Sequence, residues 1–226
     1  MERNCNAIDE SQLDPVGGAL LRLGVLAYGL TADREWVATR VDVGDENGSA
    51  RRAYIRVMLS FIEGMNHALS DVLLAADKTG RVEHLSVPEI FVLHGVQFQV
   101  DTKGRARAVR RPLRLKDSVR LLLKLLGRCA DAPFEPNFGD EGWRAFLDAI
   151  AIRNRVTHPR TRADLWLTEE DLERVDRAIK WYEDETAKFL QGFRPRGKDK
   201  QVSQVPNSAV GNDGKQQPTS PGARRS

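Results

Sequence analysis

From residue 49 to about residue 77, Tyr54, Met58, Phe61, Ile62, Met65, Leu69, Val72 and Leu73 recur mostly three or four positions apart. That spacing lays one apolar stripe along an α-helix. The Asp45-Glu46-Asn47-Gly48-Ser49 turn before it offers Ser49 as the N-cap. Leu115, Val119, Leu122, Leu123 and Leu126 mark another helix, with Gly127 near its end. A further helix begins near Asp140 and ends near His158, because Pro159 disfavours the α conformation in the residue before it. Leu172, Val175, Ile179, Tyr182, Phe189 and Leu190 give the last helix its apolar face. Thr168 and Asp171 form its capping box and Gly192 closes it.

Shorter elements fill the gaps. Ser86-Val87-Pro88 suits the start of a short helix through Leu93. Val96-Gln97-Phe98-Gln99-Val100 alternates with period two, Asp101-Thr102-Lys103-Gly104 supplies a turn, and residues 105–109 return as a second strand. Residues 16–30 read as a short helix, although Gly17, Gly18, Gly24 and Gly29 each weaken it by up to about 1 kcal/mol relative to alanine. The pattern predicts a mainly all-α chain in three parts. Residues 1–48 form an N-terminal extension with a short helix, 49–192 a helical domain with one small β-hairpin at about 96–109, and 193–226 a disordered basic tail. Beyond Phe193 the tail holds no aromatic residue, so it cannot bury enough to offset ordering.

Composition refines this picture in two ways. Cys5 and Cys129 cannot build a disulfide framework, which suits a reducing compartment and makes the cytoplasm the expected location. Residues 16–30 carry Arg22 and fall short of the roughly 18 residues that a spanning helix needs, so no membrane is expected. Glu10 and Asp14 precede them in place of the cationic segment of a signal peptide. The second refinement concerns charge. Seven Lys/Arg and two Asp give residues 193–226 a net +5 against +3 for the whole chain, which leaves residues 1–192 at −2. A pI of about 9.0 is therefore no argument for nucleic-acid binding by the folded part. A local cluster survives: residues 103–128 hold ten Lys/Arg and one acid, Asp117. Its Arg105, Arg107, Arg110, Arg111 and Arg114 are candidates for tracking RNA phosphates from one face of the hairpin. A solvated basic face is the plainer reading.

Candidate chemistry concentrates at the end of the helix that closes at His158. On a wheel, Trp143, Phe146, Leu147 and Ile150 share a stripe whose continuation carries Arg153, Asn154, Thr157 and His158, while Arg144, Asp148 and Arg155 fall in the solvated sector. A buried unpaired arginine costs several kcal/mol, so this end must border a cleft, a partner surface or compensating acids. The Arg153 guanidinium offers a planar fork matched to phosphate oxygens. His158 can exchange a proton near neutral pH. Asn154 lies one turn before His158 on the same face and can orient it. No metal-ligand spacing lies nearby, so metal-independent phosphodiester cleavage suits the group, with no cofactor. Glu63, Asn66, His67 and Ser70 form a polar stripe on the 49–77 helix, and Glu63 and Asn66 could face the motif and support His158. A solvated stripe is the plainer alternative there, and an ion pair or a helix-terminal histidine is the plainer one for Arg153 and His158. His84 and His94 have no partner at a telling spacing.

The run Ile152-Arg153-Asn154-Arg155-Val156-Thr157-His158-Pro159 resembles the motif of the HEPN superfamily (higher eukaryotes and prokaryotes nucleotide-binding domains). That motif is an arginine often followed by asparagine, then a short spacer and a histidine frequently followed by proline. The resemblance spans about residues 49–190 and carries over Arg153, Asn154 and His158. It implies a helical bundle and a metal-independent endoribonuclease acting as a homodimer on RNA, in a toxin–antitoxin or antiviral defence setting. An antitoxin or regulatory protein is then a further expected partner. Many members of the superfamily bind without cleaving, so a non-catalytic module that binds RNA or a protein stays open, as does a helical interaction protein with no nucleic-acid role.

Overall fold

The computed structural model describes residues 13–41 and 48–193, and the tail expected to be disordered lies outside them except for Phe193. The element order is α1 (Pro15–Val41), α2 (Ser49–Lys78), α3 (Val87–Leu93), β1 (Val96–Val100), β2 (Ala106–Arg110), α4 (Leu115–Cys129), α5 (Glu141–Thr157) and α6 (Glu169–Gly192), with a 3-10 turn at Arg162–Leu165. The fold is mainly α-helical with one antiparallel two-stranded hairpin, in the register Val96↔Arg110 to Val100↔Ala106. The second strand sits one residue later than the sequence pattern suggested.

Helix α2 is the axis of the bundle. Its Ile55, Leu59, Ile62, Leu69, Val72 and Leu73 are essentially inaccessible, packed with Leu122, Leu123 and Leu126 of α4, Phe146 and Ala149 of α5, and Val175 and Tyr182 of α6. Burial of each such side chain contributes roughly 1.5–3 kcal/mol.

Two local expectations change. Ser49 is the first helical residue of α2, and Gly48 takes the cap position at φ 64, where a glycine carries no Cβ penalty. Gly127 stands near the end of α4, as expected, in the last turn before Cys129. A Cβ at Gly127 would lie 2.2 Å from the Phe134 carbonyl oxygen, and the Phe134 N–H donates to the Gly127 carbonyl at 3.1 Å, so this glycine admits the returning chain. Helix α1 is 27 residues long and tolerates its glycines, because Ala19, Leu23 and Val37 pack into the core beside α2. Gly64 of α2 lets the pair close, since a Cβ there would meet Leu30 at 2.8 Å. Among the described residues α1 is the one helix long and apolar enough, by length and composition, to cross a membrane.

Candidate functional site

The N-terminus of α5 is set by Asp140, whose carboxylate accepts from the Trp143 N–H at 2.8 Å. Trp143 and Phe146 then pack against Phe138 and Trp181, the Trp143 and Trp181 rings lying 5.3 Å apart. From there the buried face runs through Ala145, Ala149, Ile152 and Val156. Arg153, Asn154, Thr157 and His158 therefore flank the core stripe and do not continue it, and Leu147 is 36% exposed. The wheel misled because it weighted the large side chains, whereas alanines line the close contact.

The end of α5 and the segment that follows it are held by cations from the start of α2. Arg56 Nη2 donates to the Val156 carbonyl at 2.7 Å, Arg52 Nη1 to the Leu165 carbonyl at 3.3 Å and Arg51 Nη1 to the Leu167 carbonyl at 3.3 Å. Guanidinium groups at a helix C-terminus satisfy orphan carbonyls and complement the dipole. His158 caps the helix, its N–H donating to the Asn154 carbonyl at 3.0 Å.

Arg153 is three-quarters buried and pairs with Glu63 of α2 at 2.6 Å. Its Nε is buried and has no partner among the described residues. The pair stands at the edge of a cavity of about 870 Å³ between α2, the end of α3, β2, α4 and α5. Asn66, Ser70 and Ser118 give it polar groups, Leu93, Leu113 and Leu115 apolar walls, and Arg110 and His67 further charge or proton-exchanging capacity. Asn66 is 5% exposed, donates from Nδ2 to Ser118 Oγ at 2.8 Å, and keeps a buried Oδ1 without a partner among the described residues. The polar stripe of α2 is thus not simply solvated: it lines this cavity, and Glu63 engages Arg153 and not His158. His94 lines the same cavity.

Asn154, Thr157 and His158 are exposed on the α5 terminus outside the cavity lining, and their side chains meet no hydrogen-bond partner among the described residues. Arg155 is not in a solvated sector. It pairs with Asp171 at 2.8 Å and donates to the Trp166 carbonyl at 3.4 Å. Asp171 also takes the Thr168 N–H in the α6 capping box, so Arg155 ties the end of α5 to the start of α6.

The hairpin arginines do not share a face. Arg105 and Arg107 both engage Asp101, at 3.3 and 2.9 Å, whereas Arg110, on the opposite side of the period-two strand, turns to the cavity. Backbone N–H groups of Arg105 and Lys103, with the two guanidinium groups, hold the Asp101 carboxyl below the ordinary carboxylate range. Arg111 and Arg114 are exposed, Arg114 at the N-cap position of α4. Arg128 is taken by Glu89 at 2.9 Å. Among the described residues no three His, Cys, Asp or Glu converge as a metal ion requires. Arg56 and Ser118 were invisible to sequence reasoning, since their partners lie far away along the chain and no motif marks them. No family model matches this chain, and neither a curated protein nor a solved structure matches it.

Proposed function

We propose that this chain is a metal-independent endoribonuclease of HEPN type, working in the cytoplasm as a homodimer, with Arg153 and His158 as its catalytic residues. The observation that carries this reading is the end of α5, where Arg153 stands at a cavity edge and Asn154, Thr157 and His158 lie open to solvent on the same helix end. Arg160 and Arg162 follow His158 in exposed positions and add positive charge for an RNA backbone. His158 takes the proton of an RNA 2′-OH, and the 2′-oxygen attacks the adjacent phosphorus. The bond from phosphorus to the 5′-oxygen breaks, that oxygen takes a proton from water, and the product ends in a 2′,3′-cyclic phosphate. Arg153 stabilises charge on the non-bridging oxygens, and Asn154 orients His158 or the phosphate. An effector with this chemistry suits a toxin or defence role in which an antitoxin or regulatory protein restrains it.

RNA incubated with the protein is expected to be cut equally with and without EDTA, with DNA untouched and His158→Ala inactive. Cleavage by His158→Ala at the parental rate, or a strict need for a divalent ion, would overturn the mechanism. One observation favours a second reading, a module that binds RNA or a protein without cutting: the Arg153 guanidinium is already engaged by Glu63. RNA retained but never cleaved is the outcome that selects it.

A further inference from the structure

We propose that Trp166 is a stacking platform for an unpaired base of single-stranded RNA, presented on the same braced loop that carries His158. This rests on the reading of the α5 end as an RNA site, and it adds the class of substrate: strands whose bases are free of a duplex.

The platform begins with the backbone. Arg56 and Arg52 stand one turn apart on α2 and hold the carbonyls of Val156 and Leu165. Residues 157–164 therefore leave the bundle and return to nearly the same place. His158 follows the first of these grips by two residues, and Trp166 follows the second by one. Beyond it Arg51 holds the Leu167 carbonyl, and Arg155 donates to the Trp166 carbonyl itself at 3.4 Å. The loop is also braced from within. The Asp164 carboxylate accepts the N–H groups of Arg160 and Thr161, both at 2.8 Å, and the Trp166 N–H donates to the Ala163 carbonyl at 3.0 Å. A loop fixed at so many points loses little freedom when a ligand arrives.

On this fixed backbone the indole is left bare. Trp166 is 66% exposed, and among the described residues neither a ring nor a cation lies over it. The other three tryptophans do have such neighbours. Trp143 and Trp181 pack 5.3 Å apart in the core, and the Arg40 guanidinium lies over Trp36.

What covers the ring follows from what surrounds it. Every acid between residues 158 and 171 is taken: Asp164 by the loop's own N–H groups, Glu169 by Arg51, Glu170 by Arg174 and Asp171 by Arg155. Arg160 and Arg162 are exposed, and among the described residues neither guanidinium has an acid partner. The unanswered charge of the loop is thus positive, which suits a phosphate backbone. Among the described residues Trp166 is the one large exposed apolar side chain between 156 and 168. A protein interface needs about 800 Å² from each partner, far more than one ring supplies. A base needs only the one ring: it stacks on the indole while its phosphates meet the arginines. Stacking takes a base that is out of a duplex, which makes the ligand a single strand. A nucleotide seated there brings its neighbouring phosphodiester to the loop that carries His158.

The full chain is to be titrated with a 2′-O-methyl RNA oligomer, which keeps the bases and phosphates of RNA and cannot be cut by 2′-OH attack. Trp166→Ala is expected to weaken binding by roughly fivefold or more. The melting temperature is expected to stay unchanged, since the side chain is largely exposed. Trp166→Tyr is expected to recover most of the affinity and Trp166→Leu little of it, because a ring face is required and apolar area alone does not replace it. An abasic oligomer and an RNA duplex are each expected to bind the parent and Trp166→Ala alike. In a Trp36→Phe background the single strand is expected to quench the emission of the remaining exposed indole. Equal affinity of parent and Trp166→Ala for the single strand, full rescue by Trp166→Leu, or absence of quenching overturns the proposal. So does a protein partner lost on Trp166→Ala while RNA affinity is retained, which would assign the ring to that protein. Ordinary RNA that needs Trp166 to bind but is never cut would reject the nuclease reading alone. RNA cut by Trp166→Ala with KM unchanged would reject the platform alone.

Discussion

Arg153 and Arg155 sit two residues apart on α5 and do opposite work. Arg153 is held by a single half-exposed acid, Glu63, so its guanidinium is available to any phosphate that outcompetes one carboxylate. Glu63→Gln is therefore expected to tighten RNA binding several-fold in a filter-binding titration, while Arg153→Ala weakens it; equal affinities for all three proteins would remove Arg153 from the RNA contact. Arg155 instead joins Asp171, which is 8% exposed, to the α6 capping box. Removing it leaves a largely buried carboxylate short of its cation. Arg155→Ala is expected to cost about 1–2 kcal/mol in urea denaturation, the range for a hydrogen bond to a charged group after allowance for its partial exposure. It cannot serve as a silent control for activity. Arg144→Ala, at an exposed position, is the better choice.

Between elements, glycines and one acid set the contacts. At Gly142 a Cβ would lie 2.4 Å from the Trp181 ring, and α5 meets α6 across that gap. Gly142→Ala and Gly127→Ala are both expected to lower stability by more than about 2 kcal/mol, because backbone or a locked aromatic must shift. A melting temperature within a degree of the parent for either would show that the neighbour yields freely. Glu89 links α3 to α4: it accepts from the Ser86 N–H and from both terminal nitrogens of Arg128. The Arg128 guanidinium beside it lowers its pKa from 4.5 to about 2. A depressed carboxyl stabilises the fold above its ordinary pKa and ceases to do so as pH falls through the folded value. Urea midpoints are accordingly expected to drop between pH 4.5 and 2, and Glu89→Gln is expected to flatten that part of the profile. Element identity was legible where local chemistry decides it: the Thr168–Asp171 box, the stop before Pro159, and the alternation of residues 96–100 all stand in the structure. What was not legible depends on distant partners. The length of α1 rests on α2, Gly127 answers to Phe134, and the inner face of α5 is drawn by alanines that a hydrophobic pattern underweights.

The bundle ends later than a glycine stop would suggest. Phe193 lies beyond α6, packs against the core, and stands 4.8 Å from the Phe189 ring. A chain ending at Phe193 is expected to melt close to the full-length temperature, and one ending at Gly192 several degrees lower; identical melting for the two would make that ring dispensable. At the other end of the bundle, Arg51, Arg52 and Arg56 grip the segment from Val156 to Leu167 by its carbonyl oxygens. A carbonyl is the same whichever residue bears it. The stretch around His158 can therefore accumulate substitutions over evolutionary time, retuning what it contacts, while its backbone path is preserved by three arginines more than a hundred residues upstream.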